Sequence, residues 1–233
     1  MSSTPFAQLQ QEARLRDLAD PLASFRQRFA YPSFHPSAIY FTGNSLGLMP
    51  LDARQSIEQE LNTWSTFGVE GHFEGAQPWV SFHEPFAHWL APILGAEPQE
   101  VVAMGSLTAN LHFLMASFYR PSSTRFKILC EGSSFPSDFY ALDSQAKWHG
   151  FNPKEAVVEL HPRSGEHVLR TEDIVQRIHE LGSELALVLL GGVNYLTGQF
   201  FDLKNIAAEA HKVGAIVGTD LAHAVGNVPL NLH

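Results

Sequence analysis

Asp220 closes the apolar run Ala215 to Thr219, and His223 follows it within the stretch AIVGTDLAHAVG. An apolar, β-branched run that comes after a helical pattern and a glycine reads as a buried parallel strand. Asp220 then stands at its carboxyl end, the edge of an open α/β sheet at which ligands bind. A carboxylate there can hold a cation or a protonated ring nitrogen. It can equally cap a following helix, with His223 an ordinary core histidine.

Two earlier stretches have comparable chemistry. In Gly105-Ser106-Leu107-Thr108-Ala109-Asn110 a strand passes through Gly and Ser into a helix start. Free backbone N–H groups and two hydroxyls there form an anion cradle, or simply an N-cap. In Ser133-Ser134-Phe135-Pro136-Ser137-Asp138 the proline restrains the phenylalanine before it, which suits Phe135 to stacking on a flat ligand. Asp138, on the first helical turn, could reach a ring nitrogen. The plainer reading makes Phe135 a core residue and Asp138 an acid favoured by the helix dipole. An anion cradle, a rigid aromatic and an acid with a hydrogen-bonding neighbour are together what a pyridoxal 5′-phosphate site requires: donors for the phosphate, a face for the ring and a carboxylate for its nitrogen.

From Glu97 onward short apolar strands alternate with helices. The strands are expected at Val101 to Met104, Lys127 to Cys130, Ala156 to Leu160, Leu185 to Leu190 and Ala215 to Thr219. The helices are expected at Thr108 to Tyr119, Ser137 to His149, Arg170 to Leu181 and Leu203 to Val213. Such a run of βα units predicts an α/β fold with a mainly parallel sheet flanked by helices. Upstream, Gln8 to Phe29 reads as two short helices broken at Asp20-Pro21, Ala38 to Phe41 as a short strand and Leu51 to Phe67 as an amphipathic helix. The turn Gly43-Asn44-Ser45-Leu46-Gly47 allows close backbone approach to a ligand. Gly68 to Pro78, with His72 and Phe73 and followed by Trp79, is more aromatic than a solvent loop needs. We expect residues 1–95 to form an N-terminal helical segment with substrate-side loops, and residues 96–233 a cofactor-binding large domain.

Composition narrows the function classes. Among 233 residues there are 15 Lys plus Arg against 24 Asp plus Glu, a net charge of -9 that argues against a nucleic-acid partner. No apolar run approaches bilayer thickness and the first twenty residues resemble no signal peptide, so the expectation is a cytoplasmic protein without a membrane partner. The single Cys130 reads as a small buried residue. His83, Glu84 and His88 do not make a zinc helix, because the second histidine comes one position late and Pro85 intervenes. No metal site is expected. Neither a GxGxxG fingerprint nor a GxxxxGK[ST] loop is present.

GNSLG at Gly43 to Gly47, SLTANLH at Ser106 to His112, FPSD at Phe135 to Asp138, YLTGQ at Tyr195 to Gln199 and DLAHAVGN at Asp220 to Asn227 together resemble kynureninase over nearly the whole chain. That resemblance implies a fold-type I pyridoxal phosphate enzyme, usually a homodimer, which hydrolyses kynurenine or 3-hydroxykynurenine to the anthranilate and alanine. It implies the cofactor contacts Leu107, Thr108, Phe135, Pro136, Ser137, Asp138, Asp220 and His223, and the substrate contacts Ser45 and His72. It also implies that the Schiff-base lysine, the tyrosine before it and a carboxylate-binding arginine lie beyond His233. The catalytic lysine is thus not expected among Lys127, Lys147, Lys154, Lys204 and Lys212, and the large domain is expected to be incomplete at its C-terminus. Gly191 stands where many relatives carry Ser or Thr, so one hydroxyl contact is expected to be lost or replaced by water. Two other readings stay open: a noncatalytic fragment that pairs with a full-length subunit, and a cysteine desulfurase or class V aminotransferase, relatives that more often carry Gln where His223 stands.

Overall fold

The computed structural model describes residues 5–35, 38–132 and 134–233; Ser133, the first residue of the SSFPSD stretch, lies outside them. The chain divides into two compact units, Met1–Val80 and Ser81–His233.

In the first unit, α1 (Pro5–Ala19) is followed by a 3₁₀ turn (Ala23–Arg28), and a two-residue ladder pairs β1 (Phe29–Ala30) antiparallel with β2 (Met49–Pro50). The strand expected at Ala38 to Phe41 does not form. The chain there turns back on itself: the Tyr40 hydroxyl donates to the Leu46 carbonyl at 2.6 Å and the Ser45 amide to Thr42 O at 2.9 Å. Those local bonds take the place of a ladder, and Ile39 and Phe41 stay exposed. The amphipathic helix is α2 (Ala53–Phe67), ended by Gly68 at φ 54°, a conformation open mainly to glycine. The Trp79 indole N–H donates to Glu60 Oε2 on this helix at 2.9 Å.

The second unit holds the βα pattern. Helix α3 (Glu84–Leu94) ends at Gly95, and α4 (Leu107–Phe118) precedes the sheet. The strands are β3 (Lys127–Glu131), β4 (Val157–Leu160), β5 (Leu185–Gly191) and β6 (Ile216–Asp220), in the spatial order β4-β3-β5-β6 and all parallel. Between them run α5 (Pro136–Trp148), the one-turn α6 (Pro153–Ala156), α7 (Thr171–Leu181) and α8 (Leu203–Lys212). Both faces of the sheet are covered. Ile174 and Ile178 of α7 and Ile206 and Ala210 of α8 pack with Leu129, Val188 and Leu190 on one face. Met115 of α4 and Leu142 of α5 pack with Ile128, Cys130, Leu187 and Leu189 on the other. Strands buried on both faces need apolar residues throughout, which is why KILC and LALVLL read as continuous runs rather than alternations.

The strand expected at Val101 to Met104 is not one. Val101 is extended, at φ −121° and ψ 131°, but no neighbouring strand among the described residues offers it a ladder, and Val102 and Met104 are exposed. Extended dihedrals make a strand only when a partner accepts the hydrogen bonds. Cys130 is fully buried, and that burial pushes its thiol up to about 12, so it is an inert packing residue.

Ile178 is fully buried in the α7 face of the core, where its loss leaves a cavity. Ile178→Ala is expected to lower unfolding free energy by about 2–5 kcal/mol, read from urea denaturation.

Candidate active site

The strand order changes direction between β3 and β5, since the chain steps outward from β3 to β4 and then crosses back to β5. The carboxyl edge at such a switch point is the crevice in which α/β sheets bind ligands. Glu131 ends β3, Gly191 ends β5 and Asp220 ends β6 at that edge. Helix α5 starts beside it, with Phe135 as its N-cap residue in extended conformation at φ −60° and ψ 138° and Pro136 in its first turn. The proline both permits the helix start and keeps Phe135 out of helical dihedrals.

Asp138, in the first turn of α5, is only 5 % exposed and is hydrogen-bonded to Asp220. Burial, followed by that hydrogen bond and the neighbouring charge of Asp220, pushes the Asp138 carboxyl up to about 7. Two carboxylates in contact repel when both are charged, so Asp138 keeps its proton to a higher pH than an ordinary aspartate does. The Ser137 hydroxyl donates to Asp138 Oδ1 at 3.5 Å, a weak opposing contribution. No helix follows β6 directly, so Asp220 is not a helix cap; instead Asp220 Oδ1 accepts the Ala222 amide at 2.8 Å and closes a turn. His223 sits on that turn, and its carbonyl accepts from Asn227 Nδ2 at 3.1 Å.

Phe135 is 47 % exposed, so its ring is an open face rather than core. It meets Tyr195 edge-on, with centroids 5.2 Å apart at 81°, and Tyr195 in turn lies 6.3 Å from the His223 ring. The α4 start is an incomplete cap: Ser106 accepts the Ala109 amide at 3.5 Å, leaving the Leu107 and Thr108 amides outside the helical ladder. Helices α4 and α5 are tied by the 2.8 Å contact of His112 Nδ1 with Gln145 Nε2. The hydrogen-bonded acid pair, the open aromatic face and the helix-start amides outside the ladder fit a phosphorylated, protonated pyridine ring, whose N–H would take the place of the proton on Asp138.

Ser45 and His72 belong to the first unit. Ser45 lies in the Thr42–Leu46 turn, and His72 ends a 3₁₀ helix (Gly68–His72) with its ring edge-on to Trp79 at 5.5 Å. Gly71 carries no side chain because a Cβ there would meet the Trp79 ring at 2.9 Å. Among the described residues no group of three or more His, Cys, Asp or Glu could hold a metal ion, and no helix is long and apolar enough to cross a membrane.

Three residues at this edge were not singled out from sequence. Glu131 is buried and accepts from the Gly191 amide and from Asn194 Nδ2, and Tyr195 supplies a ring between Phe135 and His223. The signal for Glu131 was present: it ends the apolar run KILCE as Asp220 ends IVGTD. At Gly191 a Cβ would stand 2.9 Å from Glu131 Oε1, so this position faces a protein carboxylate.

Residues 50–233 match the aminotransferase class-V family, and the chain belongs to it. The fold agrees: a C-DES mutant with glycine covalently linked to its PLP cofactor aligns with TM-score 0.66 at 17 % identity, over 88 % of this chain and 51 % of that one. The cysteine desulfurase CsdA of Escherichia coli aligns with TM-score 0.65 at 18 % identity, over 91 % of this chain and 51 % of that one. The architecture is that of fold-type I enzymes. Within the family the sequence is similar to kynureninases. It is 51 % identical over 222 residues to that of Flavobacterium psychrophilum, covering 95 % of this chain and 52 % of the relative. It is 51 % identical to that of Myxococcus xanthus, covering 95 % and 52 %, and 49 % identical to that of Nematostella vectensis, covering 93 % and 50 %. The chain spans about half the length of the curated relatives it matches.

The raised Asp138 carboxyl has a signed consequence for stability. Between its ordinary value of 3.8 and about 7 the unfolded chain has released this proton and the folded chain still holds it, so stability falls as pH rises through that window and levels off above it. The difference in unfolding free energy between the protein and Asp138→Asn is expected to shift toward the variant from pH 4 to 7 and then stay constant. Denaturant titrations at a series of pH values read that difference directly.

Proposed function

We propose that this chain carries the cofactor-ring side of a kynureninase, which cleaves the Cβ–Cγ bond of kynurenine or 3-hydroxykynurenine hydrolytically to the corresponding anthranilate and alanine. The observation that supports this most is the contact of the buried Asp138 with Asp220, placed within a sequence about half identical to kynureninases over nearly its whole length. When bound, pyridoxal 5′-phosphate supplies the electron sink that makes such a bond labile. The residues of this chain hold and polarise it. The amides of Leu107 and Thr108 serve its phosphate, Phe135 covers one ring face behind Pro136, and Ser137 supports Asp138. Asp138 and Asp220 keep the ring nitrogen protonated, which is the condition for the sink to work. His223 serves the polar ring edge, and Ser45 and His72 are substrate contacts. The protein is further proposed to be cytoplasmic and, as the resemblance implies, homodimeric, with a small-molecule substrate and no nucleic-acid or membrane partner.

Two of the five lysines are ion-paired away from this edge. Lys127 starts β3, at the opposite end of the strand from Glu131, and is ion-paired with Glu184; Lys212 is paired with Glu209 at the end of α8. Residues 1–233 alone are therefore expected to release little or no anthranilate from kynurenine in the presence of cofactor. The same residues within a polypeptide of the relatives' length are expected to release anthranilate and alanine, and Asp220→Ala there is expected to lower kcat/KM at least about a hundredfold. Anthranilate fluorescence follows both. Sulfur release from cysteine without cleavage of kynurenine would replace this reading by a cysteine desulfurase. Activity rescued only on mixing with a full-length kynureninase subunit would favour the pairing fragment.

A further inference from the structure

We infer that Glu131 and Asn194 are positioning residues that clamp Tyr195 as a further wall of the ring-binding site, and that residue 191 is glycine to leave room for the clamp. The inference rests on the cofactor reading proposed for this site.

Glu131 is 3 % exposed, and a carboxylate so buried is tolerable only when its oxygens are hydrogen-bonded. Both are: Oε1 accepts the Gly191 amide at 3.1 Å and Oε2 accepts Asn194 Nδ2 at 2.8 Å. With its amide nitrogen committed to Glu131, Asn194 turns its Oδ1 the other way. That oxygen accepts the amides of Leu196 at 3.0 Å and Thr197 at 2.9 Å and the Thr197 hydroxyl at 3.1 Å. The backbone completes the loop, since the Gly198 amide donates to Asn194 O at 2.9 Å and the Asn194 amide to Gln199 O at 2.8 Å. Gln199 fixes the far side, accepting the Leu169 amide at 2.9 Å and donating to its carbonyl at 2.6 Å.

The side chain that this loop presents is Tyr195, which is 39 % exposed and stands between Phe135 and His223. An exposed aromatic on a mobile loop would sample many positions. Here it leaves a backbone whose turn is bonded on both sides of it, so the ring is presented in one place without being buried. The same geometry accounts for Gly191: a Cβ would press on Glu131 Oε1 at 2.9 Å and displace the group that anchors Asn194.

Two readouts test the inference on the full chain. The first needs no ligand. Tyr195→Ala identifies the contribution of this ring to near-ultraviolet circular dichroism, and Glu131→Gln and Gly191→Ala are expected to remove the same band while the far-ultraviolet spectrum is unchanged. A band that survives in both variants overturns the clamp. The second is calorimetric binding of pyridoxine 5′-phosphate, which has no aldehyde with which to bond lysines. Tyr195→Ala and Glu131→Gln are each expected to weaken it about tenfold, and the double variant is expected to bind no worse than Tyr195→Ala alone. Additive losses, or no loss from Tyr195→Ala, overturn the inference while the cofactor reading stands. Absence of binding by the unsubstituted chain overturns the cofactor reading and the wall role with it, and the dichroism then still decides the clamp.

Discussion

With Ile128, Leu129 and Cys130 sealed from solvent on β3 and Leu185 and Val188 sealed on β5, the backbone groups of these two strands have no water to bond. The parallel ladder between them satisfies those groups, and the rest of the second unit depends on it. Parallel strands need crossover connections, which supply the helices that cover both faces. They also all end at the same edge. Glu131, Gly191 and Asp220 are scattered through the sequence, yet each is the last residue of its strand.

That edge concentrates negative charge, and the structure handles it in two ways. Glu131 has both oxygens filled by protein donors, which makes it a fixture. Asp138 meets Asp220 instead, so that burial and the neighbouring acid raise the pH at which Asp138 gives up its proton. A group that brings its own protonated nitrogen relieves this arrangement, whereas a neutral ligand does not. On the proposed reading, the acid pair selects for the charge of what binds, while Phe135 and Tyr195, which meet edge-on, select for a flat shape.

Much of this was legible in the residues. The runs of β3 and β5 were recognisable because strands covered on both faces are apolar almost throughout. β4 and β6 are edge strands, and the run expected to be buried at Ala215 to Thr219 forms a β6 that is only partly buried, because nothing pairs with its outer side among the described residues. The helices α4, α5, α7 and α8 begin and end within about two residues of where periodicity places them, the usual uncertainty of helix ends. Asp138 and Asp220 were recognisable as acids at strand and helix ends. Val101 to Met104 and Ala38 to Phe41 have strand-like composition, yet neither is a strand, because composition does not reveal whether a partner is present to close the ladder.

The sequence by itself determined the βα alternation, the family and the candidacy of Asp138, Asp220 and Phe135. These come from local pattern, since burial on two faces and helix starts leave marks on adjacent residues. Only the tertiary structure decided which side chains meet. Asp138 and Asp220 are far apart in the chain and are hydrogen-bonded only because β6 lies in the same sheet as β3, the strand that leads into α5. Glu131 reaches Asn194 only because β3 pairs with β5. Spacing along the chain carries no record of such contacts, because they depend on the order in which strands assemble, and that order is set by packing across the whole sheet.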